Sequence, residues 1–463
     1  MQGETSGDGA GAGTKPGAGV AAGAGVAAGA GAGSGAGTAA LLEHTFRHEY
    51  ARLVARLVRV YGLHRIEVVE DAVQEALMTA LRAWPKSGPP DQPGAWLYRA
   101  ASNRLLDVLR RRDRHNVSLD DESDERGLAP EVASALAQAA SEASDTRFER
   151  EIGDDELRML FVCADDAIPA ESQTVLALKI LCGFSTREIA LRLLTTEDNV
   201  HKRLARGRER LRQLGASLDT PAWPALQERR ASVLRIVYLL FNEGYSSTLP
   251  DRLIRRELCD EAMRLAHLMA EHPACSSAEG DALLALMYLH AARLESRLDG
   301  QGGLLLLEDQ DRTKWDRGLI GQGLRWLQRS ARGTKYSRYH AEASVAAAHC
   351  LAPSWEQTDW REIVDCYETL ERFEASPLHT LNRAIALAQW QGPHAGLAVL
   401  QAIRPPAWLA GYYLWDATLG ELLRLAGDLE AARRHLQHAW QLAPHPAERD
   451  LIARRLAACG PQS

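Results

Sequence analysis

Apolar residues recur at intervals of three and four along most of the chain after residue 40. Between residues 93 and 114, this spacing places the apolar side chains on one face of a helix. They are Trp96, Leu97, Ala100, Ala101, Leu105, Val108 and Leu109. No convincing alternating run, the pattern typical of a strand, is longer than four residues. The pattern therefore predicts an all-α protein.

The opposite face of the same segment is strongly basic. It carries Arg99, Asn103, Arg104, Arg110, Arg111, Arg112 and Arg114, with only Asp107 and Asp113 between them. Such a face is typical of a helix that contacts nucleic acid. The alternative is a solvated helix end whose cations lie near the negative end of the helix dipole. A single basic run would favour that alternative, but the chain contains a second one.

A helix-turn-helix is predicted around residue 190. Gly183 ends one helix, and Ser185 caps the next, with Glu188 three residues later as in a capping box. Thr195 or Thr196 then caps a third helix.

The third helix separates an apolar stripe from a cationic face. Its inward positions are Val200, Leu204, Gly207 and Leu211. Its outward positions are Asn199, His201, Lys202, Arg203, Arg206, Arg208, Arg210 and Arg212. Such a helix fits the major groove, where an Arg–guanine or Asn–adenine pair contributes about 1–3 kcal/mol of discrimination. The alternative is an exposed cationic helix without DNA contacts, which the agreement of cap, turn and charge disfavours.

Composition divides the chain into segments. The 463 residues leave room for about three domains. Gly and Ala dominate residues 1–40, which predicts a disordered tail. Compact helical domains are predicted at 41–115 and 151–215, separated by a flexible acidic linker at 116–150. A long helical extension is predicted at 225–463.

Charge and cysteine usage narrow the class of protein. The net charge is −7, but acidic residues concentrate at 120–125 and 154–156, apart from the two basic patches. The chain can therefore contact DNA in two places. Seven scattered cysteines contain no CxxC pair, and neither a secretory signal nor a transmembrane segment is recognised. We expect a cytoplasmic protein that makes no membrane contacts.

Two motifs together resemble a known family. The stretches EDAVQEALMTALRAWP and PGAWLYRAASNRLLDVLRRRDR resemble the second conserved region of an extracytoplasmic-function sigma factor of the sigma-70 family. The helix-turn-helix resembles the fourth region of that family. The resemblance covers residues 41–215. It implies a protein that binds core RNA polymerase and promoter DNA, with no catalytic residues, cofactor or metal of its own.

The resemblance also implies which surfaces contact polymerase. The helix from Glu70 to Trp84 corresponds to the one that docks on the β′ clamp helices, and the β flap is a second expected partner. The expected outer surface consists of Asp71, Gln74, Glu75 and Met78. The expected core-facing residues are Val69, Val73, Leu77 and Leu81.

Two further sets of residues are expected to contact promoter DNA. For the −10 element, the resemblance implies Asn103, Arg104, Arg110, Arg111 and Arg112. For the −35 element, it implies Thr196, Asn199, His201, Lys202, Arg203 and Arg206. The family usually carries Thr at the position of Asn199, so the recognised bases are expected to differ. Trp96 and Tyr98 are candidates for stacking on an unpaired base, although Trp96 falls on the apolar stripe and is expected in the core.

The C-terminal half exceeds what a minimal sigma factor of this class needs. Residues 412–444 match a tetratricopeptide repeat at Leu419, Gly420, Leu423, Ala432, Leu436, Ala439 and Pro444. The strings YLLFNEGYSS and LLLLEDQDRTKWDRGLI resemble the extension of a sigma-factor subgroup in which a tetratricopeptide-like domain replaces an anti-sigma partner. We expect intramolecular contact between this extension and the sigma domains. The extension would regulate them, either by masking a surface or by stabilising the active form.

The acidic string 304–320 has three interpretations. Glu308, Asp309 and Asp311, beside Arg and Lys, could support acid–base chemistry or hold a metal. A structural salt-bridge network is favoured over that interpretation. A lock between the extension and the sigma domains is the third.

Cys163 stands where relatives carry a Cys-His-Pro sequence, so we assign it no redox or metal role.

The sequence leaves two alternative functions open. The first alternative is a helix-turn-helix regulator that does not act through core polymerase. The second is an enzymatic or ligand-binding function in the C-terminal helices.

Overall fold

The computed structural model describes residues 49–116, 154–193, 195–214, 223–247, 253–299, 305–406, 409, 411–443 and 446–460. The regular elements within these ranges are helices, which confirms the all-α prediction. The predicted tail, and the predicted linker beyond its first residue, lie outside the described residues. The described helices form two compact units, and the chain passes from one to the other between Thr358 and Asp359.

The first three helices form a small bundle. They are α1 (49–61), α2 (Ile66–Ser87) and α3 (Pro93–Asn116), with a 3-10 turn at Leu63–Arg65. Buried apolar residues from all three helices make the core, among them Val54, Leu57, Val69, Val73, Leu97 and Leu105. Trp84 closes one end of this core, and its ring lies edge-on to that of Trp96 at 5.7 Å.

The buried stripe of α2 differs from the predicted one at its C-terminal end. Val69 begins the stripe in the core, but Leu77 is only half-buried and Leu81 is 41% exposed. Ala80 and Trp84 occupy the core there instead. Each four-residue step turns about 40° beyond a full turn of a 3.6-residue helix, so a stripe spaced by four leaves the buried face. The prediction that Leu81 faces the core is therefore wrong.

The next four helices contain the helix-turn-helix. They are α4 (Asp155–Cys163), α5 (Ala170–Ile180), α6 (Thr186–Arg192) and α7 (Glu197–Gln213). Gly183 takes a positive φ of 61° between α5 and α6. Ser185 and Glu188 form the predicted capping box, and Thr196 caps α7 by accepting a hydrogen bond from the amide of Asn199. The predicted helix-turn-helix is confirmed.

The inward face of α7 is also the predicted one. Its buried residues are Val200, Leu204, Gly207 and Leu211. Gly207 allows a close approach to α5, since a Cβ there would lie 3.1 Å from Leu176 Cδ1. This packing turns most of the cationic residues of α7 away from the helix-turn-helix core.

Five long helices continue the first unit. They are α8 (Trp223–Tyr245), α9 (Arg256–Glu271), α10 (Ala278–Ala291), α11 (Arg317–Ser330) and α12 (Arg338–Leu351), with 3-10 turns at Leu294–Arg297 and Arg312–Lys314. α8 packs on α9 and also on α4 and α5. A Cβ on Gly244 would lie 2.6 Å from the amide nitrogen of Cys259, so α8 and α9 approach this closely only with glycine here. The extension therefore begins as a direct neighbour of the helix-turn-helix domain.

The second unit is a series of helices in which neighbours along the chain pack together. They are α13 (Trp360–Phe373), α14 (Pro377–Gln391), α15 (Pro393–Gln401), α16 (Tyr413–Ala426), α17 (Leu429–Leu442) and α18 (Pro446–Ala458). α16 and α17 form the hairpin expected of a tetratricopeptide-like repeat. A Cβ on Gly420 would lie 2.7 Å from Leu436 Cγ, so glycine permits the close helix approach. Ala432 and Ala439 are buried, which keeps α17 thin at the contact.

No helix among the described residues is long and apolar enough to cross a membrane. All seven cysteines are free and buried. Burial raises the pKa of the Cys163 thiol far above its ordinary value, so this thiol stays protonated and unreactive at neutral pH.

Candidate polymerase and nucleic-acid interface

One face of α2 presents the residues expected to contact polymerase. Asp71, Gln74, Glu75 and Met78 are all exposed. The opposite side of the helix is occupied by the core, where Val69 is buried. The result is an acidic surface with one exposed apolar side chain, which suits a partner of complementary charge.

The C-terminal end of α3 presents the cations expected at the −10 element. The exposed residues there are Asn103, Arg110 and Arg111. Arg112 lies in α3, but its side chain is outside the described residues. Arg104 is half-buried, and its Nε donates to Glu75 Oε2 at 2.5 Å. This ion pair joins the surface expected for polymerase to the one expected for DNA, which sequence reasoning treated as separate.

The two aromatic candidates for base stacking are partly covered. Trp96 is half-buried against the ring of Trp84, as its place on the apolar stripe indicated. Tyr98 is half-buried too, and the guanidinium of Arg56 lies 4.6 Å from the centre of its ring. An unpaired base would have to displace that cation before it could stack on Tyr98.

The N-terminal half of α7 presents polar side chains to solvent. The exposed ones are Thr196, His201, Lys202 and Arg206. Asn199 is half-buried, and its Nδ2 donates to Thr195 Oγ1 at 2.9 Å, which orients the amide at the start of the helix. Lys202 Nζ lies 2.7 Å from Asp198 Oδ2, but an exposed pair of this kind contributes little energy. This half of α7 is accessible to a DNA groove.

Acidic residues cover the middle of α7. Arg203 Nη2 lies 2.6 Å from Glu171 Oε2. Arg208 donates to Glu70 Oε2, and its side chain is only 21% exposed. The expectation that both arginines point outward into solvent is therefore wrong. Acidic side chains from other helices lie where the solvent was expected.

Glu70 joins α2 to α7. Its carboxyl group is buried, and desolvation raises its pKa while the Arg208 guanidinium acts in the opposite direction. Tyr50 Oη donates to Glu70 Oε1 at 3.3 Å. Beside it, Arg208 and Arg212 each lie 3.8 Å from Glu67 Oε1. We call the four charged residues Glu67, Glu70, Arg208 and Arg212 the α2–α7 clasp.

A second cluster joins the helix-turn-helix to the extension. Arg192 donates to Glu243 Oε2 from Nε at 2.8 Å and from Nη2 at 2.5 Å. Arg255 Nη1 donates to Glu188 Oε1 at 3.1 Å and to Glu243 Oε1 at 3.4 Å. Glu188, Glu243 and Arg255 are buried, so both charges of the two Arg255 pairs are held away from water, whereas Arg192 is half-buried. Glu188 thus caps α6 and also anchors α9 on the helix-turn-helix.

A third cluster lies where α4 meets α9. Arg264 donates to Asp154 Oδ2 at 2.5 Å, to Glu261 Oε1 at 2.6 Å and also to Glu156. Burial and the neighbouring Glu261 carboxylate raise the pKa of Glu156 to about 9. Glu156 is therefore protonated at neutral pH, and Asp154 and Glu261 balance the guanidinium. The intramolecular contact expected between the extension and the sigma domains is present in these two clusters.

Sequence reasoning did not predict the ion pairs of Glu70 and Glu243. Glu70 lies at the edge of the apolar stripe of α2, and Glu243 lies at the end of an apolar helix. A carboxylate beside buried positions was the available signal in both cases. Their arginine partners are 138 and 51 residues away along the chain, which helical periodicity does not report.

The acidic string of the extension forms helix caps. Asp311 accepts hydrogen bonds from the amide and hydroxyl of Thr313 at 3.0 and 2.6 Å, and Asp316 caps α11. Glu308 and Asp309 are exposed. In the described part of the chain, no group of three His, Cys, Asp or Glu residues is placed to hold a metal. Within the string, Lys314 Nζ lies 3.8 Å from Asp311 Oδ2, and the contact with the helix-turn-helix described above is made by Glu243.

The fold and these surfaces define a class of protein. A helix-turn-helix whose third helix carries exposed cations is the arrangement of a DNA-binding protein. Residues 46–115 match the family model of sigma-70 region 2, and residues 160–211 match that of sigma-70 region 4. Residues 229–331 match a family of unknown function, DUF6596. The two sigma-70 matches indicate a transcription factor rather than an enzyme.

Relatives cover both the sigma regions and the extension. An uncharacterized protein of Rhizobium meliloti is 37% identical over 393 residues, which cover 84% of this chain and 90% of that protein. A probable RNA polymerase sigma factor of Haemophilus influenzae is 24% identical over 158 residues, which cover 32% of this chain and 77% of that protein. No solved structure matches. The chain belongs to the sigma-70 family, as an extracytoplasmic-function-like sigma factor with a C-terminal extension.

Proposed function

We propose that this protein binds core RNA polymerase and directs it to promoters that carry −10 and −35 elements. One observation carries the proposal: a single chain combines an exposed acidic face on α2, an exposed basic end on α3 and an accessible N-terminal half of α7. Promoter recognition by a sigma factor needs all three surfaces. A helix-turn-helix regulator needs only the last, and it leaves the acidic face of α2 without a role. The protein would act in the cytoplasm, with the polymerase.

The proposed contacts form separate sets for polymerase, for the −10 element and for the −35 element. The surface for the β′ clamp helices consists of Asp71, Gln74, Glu75 and Met78, and the helix-turn-helix domain would contact the β flap. The −10 contacts are Asn103, Arg104, Arg110, Arg111 and Arg112. The −35 contacts are Thr196, Asn199, His201, Lys202, Arg203 and Arg206. The arginines would position the phosphates, whereas Asn103 and Asn199 have the donor and acceptor groups that distinguish bases.

Run-off transcription with purified core polymerase tests the proposal, followed by mapping of start sites on genomic fragments. We expect defined start sites that need this protein. Asp71→Lys should abolish them and also abolish pull-down by the β′ clamp helices, because it reverses the charge of the proposed contact. Glu430→Lys makes the same charge change at an exposed site in the second unit and should leave both intact. Transcription that is equal with and without the protein would exclude a sigma function.

We further propose that the extension holds the two DNA-binding domains in a closed resting arrangement. While Glu70 holds Arg208, that arginine is not available to a phosphate, and Glu67 offsets the charge of Arg212. The clusters at Glu243 and Arg264 join the helix-turn-helix domain to α8 and α9, and we infer that they restrain α7 at its contact with α2. Binding to polymerase and to both promoter elements would require the clasp to open.

A truncated chain that ends before residue 225 tests the regulatory part separately. Without α8 and α9, the helix-turn-helix loses its ion pairs to Glu243 and Arg264, so we expect higher promoter output per molecule than with the full chain. Equal output would refute regulation by the extension. The full chain's own transcription still tests the sigma function, so the two proposals can fail independently.

A further inference from the structure

Three arginines lie buried next to one another in the extension. Arg293 follows α10, Arg297 lies in the 3-10 turn Leu294–Arg297, and Arg312 begins the next 3-10 turn. Arg293 is only 4% exposed, and the other two are also buried. Buried guanidinium groups normally lie beside carboxylates, because removing a charge from water without a counter-charge is costly.

These arginines lack that compensation. Among the described residues, no carboxylate lies within ion-pair distance of any of the three. Arg297 donates to the carbonyl oxygen of Tyr245, and Arg312 donates to those of His349 and Ala352 at 2.6 and 2.8 Å. Arg255 in the same unit shows the contrast, because it is just as buried but lies against two carboxylates.

Arg293 has the fewest polar contacts of the three. Its Nε lies 3.4 Å from Gln310 Oε1, which is the one side-chain hydrogen bond it forms with described residues. Its guanidinium lies 5.2 Å from the centre of the Trp315 ring, and that of Arg312 lies 4.9 Å from the same ring. The planar fork of Arg293 therefore stands in an apolar, cationic setting with most of its donors unused within the described structure.

The two histidines beside these arginines are uncharged, and the Glu356 carboxylate, which acts on Arg312 from the surface, is not within ion-pair distance of it. Burial and the nearby Arg293 and Arg312 lower the pKa of His349 to about 3, so this imidazole is uncharged at neutral pH. Burial, together with Arg293 and Arg297, also lowers the pKa of His290 well below its ordinary value. Arg293 therefore lies near both histidines.

Two buried donors in the cluster also lack an acceptor among the described residues. They are the indole Nε1 of Trp315 and the hydroxyl of Ser296, which lies in the same turn as Arg297. Both side chains are more than nine-tenths buried. Buried donors are normally satisfied, so these two could take an acceptor that the described residues do not supply.

We propose that Arg293, Arg297 and Arg312 form a binding site for a small oxyanion-bearing molecule, through its phosphate or carboxylate group. A guanidinium fork binds such oxyanions through two parallel hydrogen bonds, and the bound negative charge would supply the missing compensation. Duplex DNA is excluded as the ligand, because its backbone cannot reach side chains buried to this degree.

This site goes beyond the sigma function and does not depend on it. It lies in the extension, close to the helix-turn-helix contact: Tyr245, whose carbonyl accepts from Arg297, is two residues from Glu243. Neither the DNA contacts nor the polymerase contacts are needed to test it.

Thermal unfolding of the full chain with inorganic phosphate or with citrate tests the proposal, against sodium chloride at equal ionic strength. At ten times the dissociation constant, we expect a midpoint increase of about 3 °C over the chloride control. Phosphate alone, citrate alone or both can give this increase. Each of these results supports an oxyanion site. The anion that gives the increase shows whether the site prefers a phosphate or a carboxylate group.

Variants test whether the increase in the unfolding midpoint depends on Arg293. Arg293→Gln should abolish the increase, and Arg293→Lys, which keeps the charge but loses the fork, should weaken binding at least tenfold. Arg329→Gln is the control, because Arg329 lies on the next helix and pairs with Asp281 at 2.9 Å. It should retain the full increase.

Calorimetric titration of the unaltered chain with phosphate and with citrate keeps the proposal testable even if Arg293→Gln does not fold. We expect one site per chain for at least one of the two anions. No heat of binding with either anion, together with no midpoint change beyond chloride, would overturn the proposal. An increase that persists undiminished in Arg293→Gln and Arg293→Lys would overturn it as well.

Discussion

Replacing Glu70 by Gln should open the α2–α7 clasp and strengthen DNA binding. The substitution keeps the volume of the side chain and an acceptor for the Tyr50 hydroxyl, but it removes the charge that holds Arg208. Because Glu70 is buried and uncharged Gln is easier to desolvate, we expect the domain itself to remain folded. The change therefore acts on the contact between α2 and α7.

The size of the effect follows from the contact. A hydrogen bond to a charged group contributes about 1.5–3 kcal/mol. The lower value applies here, because the Arg208 side chain is 21% exposed and the burial of Glu70 offsets part of the gain. Since about 1.4 kcal/mol is a factor of ten in an equilibrium, the open form should become roughly tenfold more populated.

Fluorescence anisotropy with a short duplex measures the consequence. If the closed form dominates, the dissociation constant of Glu70→Gln should fall by up to about tenfold, since apparent affinity scales with the competent fraction. Arg208 and Arg212 become available to phosphates, so the slope of log affinity against log salt should steepen by about 1–2.

The control is Glu430→Gln, which removes one acidic charge at an exposed pair with Arg434 in the second unit. It should change the affinity for the duplex by less than about twofold, since exposed pairs contribute little. If Glu70→Gln matches the unaltered protein in both affinity and salt slope, the clasp does not restrict α7 and the closed arrangement is refuted.

Two further predictions concern the stability of each unit. Glu156 has a pKa of about 9 in the folded chain, above its unfolded value, so its contribution to stability is full below about pH 4 and is lost as the pH rises towards 9. Glu156→Gln should therefore flatten the decline in melting temperature between pH 6 and 8.5, and a decline parallel to that of the unaltered chain would contradict the assigned protonation. Gly420→Val should destabilise the second unit by about 1–3 kcal/mol in urea unfolding, because its Cβ would lie 2.7 Å from Leu436 Cγ. Gly411→Ala, where nothing lies within 4 Å of the added Cβ, is the control, and equal midpoints for both variants would contradict the packing of α16 on α17.

The helix-turn-helix shows how far sequence reasoning reaches. The cap at Ser185, the cap at Thr196 and the inward position of Val200 were all predicted and all confirmed. Each depends on residues three or four apart, so local geometry determines it. Leu81 shows where the same reasoning fails, because an error in the assumed spacing grows along a 22-residue helix such as α2.

The basic residues of α7 show the difference between what helical periodicity predicts and what tertiary packing determines. Periodicity places Arg206 and Arg208 alike on the outward side, yet Arg206 is exposed and Arg208 donates to Glu70. Two residues apart, they lie on nearly opposite flanks of the helix, and the flank of Arg208 faces Glu70 of α2.

The sequence by itself determined the all-α class, the caps, the helix-turn-helix and the family resemblance. These follow from hydrophobic spacing and from interactions within one or two turns of helix, both of which are written along the chain. Tertiary structure decided which charges are paired: Glu70 pairs with Arg208 and Glu243 with Arg192, whereas no described carboxylate lies within ion-pair distance of the buried Arg293, Arg297 and Arg312. The physical reason is that an electrostatic interaction depends on distance and burial in space, and residues far apart along the chain acquire both only when it folds.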